Sequence, residues 1–88
     1  MKPLNFAILK HFTTVDKASV SDVMNALKSE YANFKAFNKK GVLNALMTAQ
    51  ANGLLEEAGF ELGSDNELNI YFQATEDSAK TINRYLRD

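Results

Sequence analysis

Lys39, Lys40, Asn44 and Thr48 follow one another closely in the chain, and their types suit one kind of chemistry. A lysine ammonium meets phosphate oxygens. Asparagine pairs bidentately with adenine, and threonine meets a base edge or a thymine methyl. On a helix, Asn44 and Thr48 stand one turn apart on one side, with the two lysines at the N-terminal end. Gly41 and Ala51 on that side are small enough to let a groove approach closely. The same residues also make an ordinary solvated helix face. Lys35 and Lys28, with Lys2, Lys10 and Lys17 elsewhere, either add phosphate contacts or keep the surface soluble.

Other chemistries lack their parts. With no cysteine there is no thiol nucleophile, disulfide framework or thiolate metal site. The single histidine, His11, has no pattern of acids around it to make a positioned base. The run Gly63-Ser64-Asp65-Asn66-Glu67 lacks the alternating ligands of a calcium loop. The four glycines are scattered and form no phosphate loop. The expectation is a protein that is not an enzyme, with no catalytic residue, no metal and no cofactor.

Net charge is −1, so no global basic signature exists, yet charge is unevenly placed. Lys28, Lys35, Lys39 and Lys40 face Glu30 alone in one stretch, whereas Glu56, Glu57, Glu61, Asp65 and Glu67 cluster in another without any base. The acidic stretch is either a charged sheet edge that discourages aggregation or a docking surface for a basic protein partner.

These residues need elements to hold them. With 88 residues, 45% of them hydrophobic and 24% charged, the chain reads as one globular domain over 1–88. No apolar run approaches the roughly 18 residues a bilayer span needs. Lys10 and His11 come too early for a signal-peptide core, and the expected setting is cytoplasmic, with no membrane partner.

Pro3 suits the first turn of a helix whose stripe is Leu4, Ile8, Leu9 and Phe12. Thr13, Thr14 and Val15 end it. Ser19 caps a second helix, with Asp22 in its first turn and Val20, Val23, Met24, Leu27 and Tyr31 along its stripe. The linker carries Phe34 and Phe37, spaced in threes from Tyr31; core packing or a partner-binding aromatic patch explains that spacing. Asn38 caps a third helix over about 38–52, whose inner side is read as Val42, Leu43, Leu46, Met47 and Gln50. Gly53 stops it in a left-handed conformation.

A hairpin follows, turning at Gly63–Asn66, with Leu68, Ile70 and Phe72 alternating on one buried face. Thr75 caps a fourth helix with Glu76 and Asp77 at its start, Arg84 and Arg87 at its end, and Ala79, Ile82 and Leu86 inside. Tyr85 is either core rim or a dimer contact. The expected core is Leu9, Phe12, Val23, Leu27, Leu43, Leu46, Leu54, Ile70, Phe72 and Ile82.

The order helix, helix, helix, hairpin, helix, with "LNALMTAQANGLLEE" running into "DNELNIYFQATEDSAKTINRYL", resembles the winged helix-turn-helix superfamily. It looks most like the small bacterial regulators of the MarR, ArsR and PadR kind. Leu46, Gly53, Leu54, Leu55, Glu56, Ala74 and Thr75 carry the match. The resemblance implies an α+β winged helix: a three-helix core, a two-stranded wing and a C-terminal helix. It further implies a transcriptional regulator that binds double-stranded DNA. Val20 to Tyr31 would be the supporting helix, 38–52 the recognition helix and Glu57 to Gln73 the wing. Such regulators commonly pair through their terminal helices, so a homodimer is expected. Lys35, Lys39, Lys40, Asn44 and Thr48 are the candidate DNA-binding residues. Two departures stand out. The linker is longer and more aromatic than the usual tight turn, and the wing is acidic where a DNA-contacting wing usually carries arginine or lysine. A wing of this charge is expected to stay off phosphate. The alternative function is a winged-helix adaptor that binds protein through the acidic wing or the aromatic patch, without DNA.

Overall fold

The structure, a computed structural model, describes residues 3–85 and, at Tyr85, the backbone only. The elements run α1 (Leu4–His11), β1 (Ala18–Ser19), α2 (Val20–Tyr31), α3 (Lys39–Ala51), β2 (Leu55–Leu62), β3 (Leu68–Ala74) and α4 (Glu76–Tyr85). Lys2, Leu86 and Arg87, to which the sequence assigns a phosphate contact, an inner stripe and a dipole partner, lie outside the described residues, as does the side chain of Tyr85.

Local chemistry sets most of the boundaries. Helix α1 ends where the Thr13 and Thr14 hydroxyls turn back to donate to the carbonyls of Lys10 and His11, each at 2.7 Å. Such bonds compete with continued helix. Ser19 and Asp22 form a reciprocal capping box at the start of α2: the Ser19 hydroxyl accepts from the Asp22 amide and the Asp22 carboxylate accepts from the Ser19 amide. Asn38 caps α3 through the Gly41 amide at 2.8 Å. At the other end Gly53 has φ +77°. Its amide reaches the Gln50 carbonyl, and the Leu54 amide reaches the Ala49 carbonyl. That paired closure is a Schellman stop, open to glycine because no Cβ is strained there.

The sheet has a strand that periodicity does not announce. Ala18 pairs with Phe72 and Ser19 with Tyr71, so the order is β1-β3-β2, all antiparallel. The short β1 covers the inner half of β3 on the side away from β2. Between β2 and β3, Asn66 takes the left-handed conformation (φ +64°) behind a turn closed by its amide on the Gly63 carbonyl. The Gly63 amide also donates to the Glu67 carbonyl, which leaves a three-residue loop over 64–66, and asparagine is among the few residues that fit its last position well.

Helix α4 is fastened to the α3–β2 junction. The Thr75 hydroxyl accepts from the Ser78 amide and donates to the Gly53 carbonyl, while the buried Ser78 hydroxyl donates to the Leu54 carbonyl. Both hydroxyls thereby satisfy carbonyls of the short segment that links α3 to β2.

The core gathers Ile8, Phe12, Val23, Val42, Leu46, Leu55 and Phe72, with Ala18, Tyr31, Ala49 and Ile82 also buried. Of the expected core, Phe12, Val23, Leu46, Phe72 and Ile82 are buried; Leu9, Leu27, Leu43, Leu54 and Ile70 are only half-buried. A domain this small has surface close behind every layer, so the second rank of apolar side chains stays partly wet. The linker aromatics divide the same way. Tyr31 is buried and meets Phe34 edge-on at 4.8 Å, Phe37 packs against the core, and Phe34 remains exposed.

Candidate nucleic-acid interface

Helix α3 buries Val42, Leu46 and Ala49, with Leu43 and Ala45 at the margins. The inner stripe therefore differs from the sequence expectation. Met47 is 54% exposed and Gln50 is exposed, while Ala49 lies inside. Alanine carries little weight in an apolar pattern, so the stripe's centre reads one residue off. With about 100° of turn per residue, the side opposite the buried stripe consists of Lys40, Asn44, Met47 and Ala51. All four are exposed.

Lys39 and Lys40 occupy the first turn of α3, where no acid is present. That is the positive end of the helix dipole, so two like charges sit on a positive partial charge. The arrangement disfavours the isolated helix and favours an anion placed there. Lys39 already has one: its ammonium lies 3.5 Å from a Glu67 carboxylate oxygen on the wing. Lys40 points outward, away from that contact. Lys35, in the linker, is exposed, and its carbonyl accepts from the Asn38 side-chain amide.

Asn44 and Thr48 are exposed, and they also rim a groove between α1 and α3 of about 400 Å³. Asn5 and Asn52 share that rim; Ile8 and Leu54 lie deeper. Five candidates from the sequence are thus split four ways: Lys40 and Asn44 outward, Thr48 beside the α1 groove, Lys39 toward the wing and Lys35 on the linker.

Gly41 has a different role from the one its size suggests. A Cβ at this position would overlap the Ala36 carbonyl oxygen. Its smallness serves a close contact between α3 and the linker, not the approach of a groove.

The wing has two unlike faces, set by a bulge. Leu55, Glu56 and Glu57 pair with Ala74, Gln73 and Phe72, but the next partner of β3, Ile70, faces Phe60. Two residues, Ala58 and Gly59, thus stand opposite Tyr71 alone, and Gly59 has φ +110°. Such an extra residue shifts the alternation by one. Beyond it Phe60 and Leu62 join Ile70 and Leu68 on the inner face. Glu61 moves to the outer face, where the Tyr71 phenol donates to its carboxylate at 2.6 Å. That hydrogen bond, with some desolvation and the nearby Glu61 and Asp22 charges, holds the Tyr71 pKa above its ordinary value. Gln73 donates to Glu56 on the same face at 2.7 Å, and the Lys17 ammonium lies 4.8 Å from the centre of the Tyr71 ring.

Sequence periodicity missed Met47 on the outward side of α3 and the apolar inner face of the wing tip. The spacing of Phe60 and Leu62 signals the second; their phase relative to Leu55 depends on the bulge. Among the described residues no group of three or more His, Cys, Asp or Glu is placed to hold a metal ion, and no helix is long and apolar enough to cross a membrane.

No protein-family model matches the chain, and no curated protein matches it in sequence. Among solved structures it is similar to Bacillus subtilis PadR, in a crystal structure of that protein with operator DNA. The TM-score is 0.74 at 15% identity, over 97% of this chain and 47% of the PadR chain. The chain spans about half the length of that protein. With helices α1 to α3 packed on a β2–β3 wing and closed by α4, the fold is a winged helix, similar to that seen in PadR.

Proposed function

We propose that this chain is a DNA-binding regulator whose α3 enters the major groove, presenting Lys40, Asn44 and Thr48 to it. One observation carries the reading: in a winged-helix fold, α3 begins with two lysines at the positive end of its dipole, and Lys40 opens its uncovered side. In this reading Lys40 holds a phosphate, Asn44 reads a base edge and Thr48 supports it. Lys39 and Lys35 add to the positive field. The fold shared with PadR, whose structure contains operator DNA, supports the assignment. Two copies pair through their terminal helices in the cytoplasm, each a single domain over 1–88, which doubles the few phosphate contacts one copy supplies. The acidic wing stays off phosphate, because like charges held close are unfavourable over roughly 10 Å at 0.1 M salt.

The test is a salt-dependent titration against random duplex DNA, in which affinity falls steeply as salt rises. Lys40→Glu weakens binding strongly across sequences, and Asn44→Ala relaxes preference at one base step. Neutralising Glu61 and Asp65 to Gln and Asn leaves affinity unchanged or raises it. No detectable affinity at low salt, or loss of binding on neutralising the wing acids, overturns the proposal.

A further inference from the structure

The outer half of the wing is built around an apolar face that the rest of the molecule leaves uncovered. Register places Phe60 opposite Ile70 and Leu62 opposite Leu68, so all four project to one side. Phe60 is 69%, Leu62 68% and Leu68 56% exposed. The Ala58–Gly59 bulge is what brings them together: with unbroken alternation after Leu55, Glu61 would lie on this face and the two apolar residues on the other. A bulge that gathers apolar side chains into water has no use within the isolated fold. Contiguous exposed apolar surface of this kind marks a binding face.

The face continues into a groove of about 310 Å³ between the wing and the starts of α2 and α3, lined by Val20, Leu43, Leu68 and Ile70. Its polar margin includes Lys39 and Glu67, which face each other. Around the patch stand Glu57, on the same side as Phe72, then Asp65 and Glu67 at the tip, all exposed. Apart from Lys39, whose charge Glu67 offsets, the edge around the apolar middle is acidic. Duplex DNA is excluded as its occupant by that charge, and phosphates give no apolar cover. A second copy applied about a two-fold axis would set the same acids against one another.

We infer that this face docks a basic amphipathic helix from another protein, its apolar stripe laid on Phe60, Leu62 and Leu68 and its lysines or arginines turned to the acidic margin. Helices bind grooves of this kind through apolar residues spaced along one side. Rim charges guide the approach, and the apolar centre supplies most of the affinity.

The probe is a synthetic amphipathic peptide of leucine and lysine, labelled and followed by fluorescence anisotropy against the full chain. Two control peptides carry the same composition scrambled, or glutamate in place of lysine. The leucine–lysine peptide is expected to bind, more weakly as salt rises, and the controls to bind at least about tenfold more weakly. The exposed-residue variants Leu62→Ser and Leu68→Ser, singly and together, lose about tenfold or more while circular dichroism stays unchanged. Glu57→Gln with Glu67→Gln lowers affinity and flattens the salt dependence. Equal binding of the controls, or unaltered binding by the double serine variant, overturns the inference. So does sedimentation showing that the wild-type chain self-associates and that the serine variants do not. Duplex DNA titrated in parallel keeps the two proposals separate, since neither serine lies on α3.

Discussion

The two halves of the β2–β3 hairpin share strands, a hydrogen-bond ladder and a face, yet they differ in almost every physical respect. In the half nearest the helices, Leu55 and Phe72 are each 2% exposed, β1 covers the far side of β3, and the Thr75 and Ser78 hydroxyls tie the strand ends to α4. Beyond the bulge the same face carries Phe60, Leu62 and Leu68 into solvent. One half is part of the core and the other is a surface projecting from it. The contrast teaches that apolar side chains in a strand do not by themselves mark core. What they rest against decides their role.

Truncation across the bulge sharpens this contrast most. Phe72→Ala is expected to cost about 3–5 kcal/mol by denaturant unfolding, because it opens a cavity among Leu55, Val23 and Leu46. Leu62→Ala, on the same face, should stay within about 0.5 kcal/mol of the parent. Equal costs would break the comparison. Next in size is the fastening of the inner half. Thr75→Ala removes the α4 cap and the bond to the Gly53 carbonyl, at a cost of about 1 kcal/mol, read as a lower thermal midpoint. The smallest effect lies on the outer face. With Glu61→Gln the phenol of Tyr71 loses an anionic acceptor, so its pKa falls toward the ordinary value. Phenolate absorbance then rises at lower pH than in the parent. An unchanged titration would show that the hydrogen bond is not what holds the proton.

How much of this is legible in the sequence follows from the range of the interactions involved. Ser19, Asn38, Gly53 and Thr75 announce helix ends because caps act within three or four residues of themselves. The helical order and the hairpin follow from periods written along short windows. Strand β1 is two residues long and exists only through β3, more than fifty positions away, so no local pattern betrays it. The bulge is equally hidden, since the phase of Phe60 and Leu62 is defined by partners across the ladder. On α3, the buried Ala49 displaced the apparent stripe and concealed the exposure of Met47. Among the site residues, periodicity placed Lys40 and Asn44 on the outward side, but the attraction of Lys39 to Glu67 joins the start of α3 to the wing tip, with the rest of α3 and all of β2 between them.

The contact between Gly41 and the Ala36 carbonyl has a consequence for the outward side of α3. A helix resting on a bundle can roll about its axis with modest change in burial, and each residue of roll turns a new set of side chains outward. Here the linker backbone lies against the helix at the one position without a Cβ and acts as an indexing pin. It fixes the angle at which α3 sits, and therefore selects Lys40, Asn44, Met47 and Ala51 as the outward set. A side chain at 41 would displace the pin before it disturbed the core. Position 41, which meets no partner itself, thus governs which residues any partner of α3 would meet.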